Sequence, residues 1–497
     1  MPVELSRRAA LTTALTGVAA AGLVAARGSE AATGALPRTT DFALHAARRL
    51  SFGATPALVA HLRHVGLTAW LDEQLEVKPD AAGEAAALGS TSLPIPSSLM
   101  GARTQAPTDL QAATFARAAW GDRQLYELLV EFWSNHLAIA ILPEDPSIGL
   151  WKIADDRDVI RKNALGTYSD MLVASIQSPA MLTYLSNRYS QAPHPNENYA
   201  RELLELHTVG VGAGYGQRGV RNAAKVLTGL SADDQGNFLY RQGWHVTHPV
   251  RVLGWHSANS DPAKGLEVAI SLVRYLAAHP ATAHRISEKL VRRFVSDTPP
   301  PTLVASAARV YRANGTAIVP VVRHILLSKE FAHSADSKTQ RPLEWAAQAV
   351  RILGLQQDVS MHTDGRGVVR MLEELGQAPF GWRQPDGYPD VAAAWATTAS
   401  MLSRWNTAQA LVAGKVKGIK PLDVDALVGT PVPTTVGGLA DRVSRRVLGH
   451  VPRRALRAAL VRSTGKPAGT VLNRAGVRAL TPGLAALVLS APEAQVR

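Results

Sequence analysis

Asn196-Glu-Asn-Tyr-Ala-Arg-Glu-Leu-Leu-Glu-Leu-His-Thr-Val-Gly210 is the stretch on which the reading of this chain turns. Pro193 and Pro195 disfavour helix upstream, Asn196 is an N-cap candidate, and Gly210 sits where a C-terminal glycine belongs. The segment therefore predicts a helix. At about 100° per residue, Glu197, Asn198, Arg201, Glu202, Glu205 and Thr208 share one arc of about 140°. Tyr199, Ala200, Leu203, Leu204, Leu206 and His207 fill the other side. Glu197, Arg201 and Glu205 follow at i, i+4 and i+8, so the arginine can bridge two carboxylates. That face is either a solvated ladder of ion pairs or a carboxylate cluster facing a cleft. His207 lies on the leucine side and is expected as a buried, hydrogen-bonded histidine, not as a partner of Glu205.

Working outward, Asp122 to Ala140 predicts a second strong helix. Leu125, Leu129, Phe132, Trp133 and His136 share its apolar stripe. His136 is expected as a core histidine satisfied by a backbone carbonyl, or one whose tautomer is set by a carboxylate on a neighbouring helix. Asp41 to Leu75 reads as two helices, the second opened by Thr55 as cap and Pro56 as first helical residue. Further helices are expected over Leu266–Ala278, Pro280–Phe294, Arg341–Leu353 and Gly367–Leu375. Strand signals concentrate between Gly236 and Gly254, where Phe238-Leu-Tyr and Val250-Arg-Val-Leu predict a hairpin.

Composition agrees with helix. The 497 residues are rich in alanine, leucine and arginine, with 46% hydrophobic, 19% charged and only 6% aromatic residues. The expectation is an all-α, multi-helical globular array with one small β-hairpin and long Pro/Gly-rich loops, in two or three packed subdomains. The absence of cysteine excludes disulfides, thiolate metal sites and cysteine nucleophiles. Of the +13 net charge, most lies between Arg442 and Arg478, which holds ten Lys/Arg and no acid. Arginines on the wet face of a helical segment explain this better than a polyanion site. No aromatic residue is there to stack on bases, so no nucleic-acid partner is expected.

The ends and connections define the domains. Ser6-Arg7-Arg8-Ala9-Ala10-Leu11, a small-residue apolar run to Ala26 and Ser29-x-Ala31 predict a twin-arginine signal peptide over residues 1–31. The run is too weakly hydrophobic for a permanent span, so the protein is expected outside the cytoplasmic membrane, free or wall-associated, with no stable span after cleavage. A main helical domain over 32–414 follows, with a long loop over 78–108 and the hairpin over 236–254. A linker over 415–440 leads to a basic helical segment, 441–497, packing on the main domain.

Several motifs are weighed and set aside. Gly214-x-Gly216-x-x-Gly219 matches a dinucleotide fingerprint but lacks the preceding strand. His245, His248 and His256 fit no zinc spacing, so no metal set is assigned, and no cofactor is named. Pro379-Phe-Gly-Trp-Arg-Gln-Pro-Asp-Gly-Tyr-Pro389 is an aromatic loop whose Trp382 and Tyr388 can pack as a lid or stack on a sugar ring.

The central segment resembles the signature of an uncharacterised bacterial family catalogued as domain of unknown function 1800. Arg48-Arg-Leu-Ser-Phe-Gly-Ala-Thr-Pro56, Phe132-Trp-Ser-Asn-His136, Ser178-Pro-Ala-Met-Leu182, Tyr184-Leu-Ser-Asn187, His279-Pro-Ala-Thr-Ala283, Pro379-Phe-Gly-Trp382 and Ala491-Pro-Glu493 are similar too. The resemblance implies a mostly helical, exported protein and carries no activity with it.

Function is then read from residues. One expectation is a hydrolase or lyase acting on polysaccharide, with Glu202 or Glu205 as acid or base, tuned by Arg201 and His136. Glu197, Asn198, Trp382 and Tyr388 would bind substrate. The alternative is a non-catalytic cell-envelope scaffold or binding protein, whose partner is a polysaccharide or another exported protein.

Overall fold

In the computed structural model the described residues are 39–89, 106–359 and 365–497. The twin-arginine stretch lies outside them. Helix dominates, and sheet is confined, among the described residues, to two two-stranded antiparallel pairs. Buried apolar side chains from Leu44 to Ala494 form one contiguous cluster.

Local signals place many helices where they were expected. Asp41 caps Phe42–Leu50, and Thr55 accepts from the Leu58 N–H ahead of Pro56 at the start of Pro56–Leu75. That second helix breaks at Gly66, whose φ of 78° no helix accommodates. Gly265–Ala278, Pro280–Phe294, Pro342–Leu353 and Arg366–Glu374 lie within a residue of expectation, while Gln124–His136 starts two residues after and ends four residues before its expected bounds. His279 caps Pro280–Phe294 by accepting from the Ala281 N–H.

Three expectations change. Two hairpins replace one: β1 (Leu230–Ala232) pairs with β2 (Phe238–Tyr240), and β3 (Val250–Val252) with β4 (Trp255–Ser257). The two expected strands exist, but each pairs with a neighbour on its far side. The expected loop over 78–108 contains the helix Ala81–Gly89 and the start of Ala106–Trp120, which pack together. Residues 90–105 lie outside the described set. The expected linker over 415–440 holds the short helix Val424–Val428 and the first turn of Val436–Leu448.

The C-terminal helices are stitched to the centre by charge as well as packing. Arg474–Ser490 packs on Thr398–Val412 and Val436–Leu448, and the latter on Pro342–Leu353. Beneath them Glu344 accepts from Arg293, from Arg341 Nη2 at 2.9 Å and from Arg497 Nη2 at 3.0 Å. Glu131 meets Arg341 and Arg293, and Lys338 reaches Asp297 at 2.7 Å and Asp390 at 3.0 Å. Burial alone would raise the Asp390 carboxyl, but Lys338, Arg341 and Arg293 hold it at about 2. Arg442, Arg457 and Arg478 of the basic segment bond to local carbonyls or carboxylates, while Arg445, Arg454, Arg462, Lys466 and Arg474 are exposed.

Candidate functional site

The central segment is helical, but not uniformly. Asn198–Glu202 is α-helical and Leu203–His207 is a π-helical turn. The wider turn leaves carbonyls that ordinary helix bonds do not satisfy. Thr208 Oγ1 donates to Leu203 O at 2.6 Å, Gly210 N–H to Leu204 O at 2.9 Å, and Tyr168 OH to His207 O.

The polar face is arranged as the spacing predicts. Arg201 lies between Glu197 at 3.4 Å and Glu205 at 3.6 Å, and Gln217 joins it by hydrogen bonds to Glu197 and Arg201. The side chains of Arg201 and Glu205 are 39% and 28% exposed, so this face is neither open solvent nor sealed core. Glu202 is half-buried. Burial raises its carboxyl, Glu205 and Asp386 add to the rise, and Arg201 opposes it. Asn198 is exposed, and its amide donates to the Leu185 carbonyl at 3.2 Å.

Asp386 belongs to the aromatic loop, which the Gln124–His136 helix holds in place. Asn135 donates to Tyr388 O at 2.8 Å and accepts from Tyr388 N–H at 2.7 Å. Between them Gly387 has a φ of 75°, and a Cβ there would stand 2.2 Å from the Asn135 carbonyl oxygen. Only glycine fits. Gln111 donates to Pro379 O and Ile141 N–H to Phe380 O, both at 2.8 Å. Trp382 Nε1 bonds Asp386 at 2.8 Å, its ring lies 5.2 Å from that of Tyr388, and Tyr388 OH donates to Ala378 O at 2.9 Å. Trp382, Tyr388, Glu131 and Asn135 line a slot of about 40 Å³, room for a few waters.

His136 is buried, as its stripe predicts, and its neighbours are not those expected. Nε2 lies 2.9 Å from Tyr168 OH and 3.2 Å from His207 O. Tyr168 gives its only proton to His207 O, so its oxygen accepts from His136 Nε2–H. Nδ1 is then the acceptor, and its partner is no carboxylate: Lys289 Nζ donates to it at 2.9 Å. Burial, then Lys289, keeps His136 well below its usual value and therefore neutral. His136 consequently does not tune Glu202; it fixes Lys289. His207 is buried as expected, yet both its ring nitrogens lack a partner among the described residues, against the expected hydrogen bonding. Burial, with Lys289 and Arg285, pushes it down to about 3.

Lys289 is the residue that sequence reasoning missed. Its half-buried ammonium is pushed down to about 7 by burial and by Arg285 and Arg292, against the pull of Asp386 and Asp390. The signal was in the helix Pro280–Phe294, where Arg285, Lys289, Arg292 and Arg293 follow at i, i+4, i+7 and i+8 with only Glu288 to oppose them. Arg285 ties this helix to the π-helical turn through Leu206 O at 3.3 Å. Tyr215, in the field of Glu205, Arg285, Arg201 and Glu202, is raised to about 12 by burial first, and its buried hydroxyl has no partner among the described residues.

The three histidines near the hairpins are not brought together as a ligand set. His245 is buried, with Nδ1 3.0 Å from Thr228 O and Nε2 2.8 Å from Asn259 Oδ1, while His248 and His256 are exposed.

Phe132–His136, Tyr184–Asn187 and Pro379–Trp382, three of the stretches of the resemblance noted above, contribute groups here. The profile of a family described as "Protein of unknown function (DUF1800)" matches residues 45–496. The chain belongs to that family. Comparison with curated proteins and with solved structures gives no match. In this DUF1800 chain the matched range spans every group just described.

Proposed function

We propose that the chain is an exported hydrolase or lyase acting on polysaccharide outside the cytoplasmic membrane, with Glu202 as the acid and Lys289 as the base. The observation that supports this reading is the opposed tuning around Asp386. A carboxyl pushed up and an ammonium pushed down both lie in the field of Asp386, and the lysine is fixed by His136, itself fixed by Tyr168. A protonated Glu202 can give its proton to a glycosidic oxygen as the C–O bond breaks. A neutral Lys289 can take a proton from the attacking water in hydrolysis, or from the carbon beside a carboxylate in elimination. In this reading Arg201 and Glu205 hold the local field, and Trp382, bonded to Asp386, would meet the sugar.

The Arg201 ladder favours a second reading, a non-catalytic scaffold of the cell envelope, because ion pairs alone account for it. The two part on activity. Incubation with a panel of extracellular polysaccharides, followed by new reducing ends and by ultraviolet absorbance of unsaturated products, should show turnover. Glu202→Gln and Lys289→Met should each abolish it while the protein stays folded. Turnover that survives both substitutions removes the catalytic reading.

A further inference from the structure

The helix Pro280–Phe294 treats its cations unequally. Arg292 is paired with Glu288 at 2.6 Å, and Arg293 with Glu344. Arg285 and Lys289 have no carboxylate within ion-pair distance among the described residues. Arg285 spends its Nε on Leu206 O, and Lys289 has a single bond, to a neutral imidazole. The fully buried lysines are paired with carboxylates: Lys152 meets Asp155 at 2.6 Å, and Lys338 meets both Asp297 and Asp390. Arg49 and Arg351, which have no carboxylate in an ion pair among the described residues, donate to several backbone carbonyls instead. Asp386 and Asp390 act on Lys289 only at longer range.

Two like charges at i and i+4 stand about 5–6 Å apart at Cβ and repel, a cost that an anion lying between them removes. The buried Tyr215 hydroxyl, which has no partner among the described residues, is a neutral donor in the field of Arg285. We propose that Arg285 and Lys289 form an anion subsite, and that the ligand of this site carries a carboxylate or phosphate group seated between them. An anion bound there holds Lys289 as the ammonium, so a substrate of this class would make Lys289 its anchor and not the base of the catalytic reading above. The anion site stands without that reading. Carboxylate and phosphate share the chemistry that a guanidinium and an ammonium recognise.

The test uses the full chain at low chloride, with calorimetry and thermal melts against inorganic phosphate, D-glucuronate and D-glucose. Phosphate or glucuronate should bind and raise the melting temperature, while glucose should not. A response to glucuronate alone assigns an acidic sugar, and a response to both assigns a general oxyanion site. Lys289→Met and Arg285→Gln should each weaken binding by roughly tenfold or more, the value of one charge-assisted hydrogen bond. Because the protein carries a strongly basic segment elsewhere, Arg454→Ala and Arg462→Ala serve as controls and should bind as the wild type does. If Arg285→Gln does not fold for want of the Leu206 bond, Lys289→Met decides alone. No binding of either anion, or equal binding by wild type and Lys289→Met, overturns the proposal. Anion binding lost in Lys289→Met, alongside polysaccharide turnover unaffected by Glu202→Gln, would sink the catalytic reading and leave the subsite standing.

Discussion

Replacing Lys289 by methionine keeps the length of the side chain and removes its charge, so it isolates what that charge costs. A fall from 10.5 to about 7 corresponds to about 5 kcal/mol for a fully desolvated group. Lys289 is only half-buried, and solvent screening reduces this to about 2 kcal/mol. The unfolded chain holds the proton more tightly than the folded one. Stability therefore rises with pH between about 7 and 10.5, and the whole penalty is present below that window. Arg285, Arg292, His136, His207, Asp386 and Asp390, which face this ammonium, are common to both proteins. Urea unfolding of wild type and Lys289→Met should thus be compared near pH 6 and near pH 10. Wild type should gain about 2 kcal/mol on the variant across that interval. The lost bond to His136 Nδ1 shifts the difference by a constant and leaves its slope alone. A difference that stays flat shows that Lys289 titrates as an ordinary lysine, and the tuning argument falls with it.

Other outcomes follow from burial and charge. Leu203 is fully buried beneath the π-helical turn, so Leu203→Ala should cost roughly 2–5 kcal/mol in denaturant melts, and a neutral result would show that the turn faces the other way. Glu205, at 3.6 Å from Arg201 and partly exposed, should tolerate glutamine with a change of no more than about 1 kcal/mol. Glu344→Gln strands Arg293, Arg341 and Arg497 together and should cost about 3–5 kcal/mol, read as a lowered unfolding midpoint; an unchanged midpoint would mean that water already screens these groups. Replacing Arg7 and Arg8 by lysines should retain the protein in the cytoplasm, as fractionation would show, and undiminished export would remove the twin-arginine reading.

The helices were legible because their signals are local. Thr55 before Pro56 sets a start, and the Leu125-to-His136 stripe fixes a face, without reference to anything distant. What was missed depends on the partner. The π-helical turn is held by Tyr168, far away in sequence, so the 100° rule slips at its end: Thr208, read as polar-face, is buried, and Leu206, read as apolar-face, is half-buried. Phe238–Tyr240 looks the same whether it pairs forward or back, and only the fold chooses Leu230–Ala232. Ala81–Gly89 carries almost no amphipathic contrast and reads as loop until Ala106–Trp120 covers it. Lys289 is marked by having Asp386 and Asp390 near but no carboxylate at ion-pair distance among the described residues, and sequence alone does not give that distance.

The clamp formed by Asn135, Gly387 and Tyr388 bears on how a ligand would be received. Backbone that is hydrogen-bonded on both sides of a steric pinch has already surrendered its conformational entropy during folding. Little is left to lose on binding, so selectivity here is written into the rigid shape of the loop. A ligand meeting this loop would find its shape already formed.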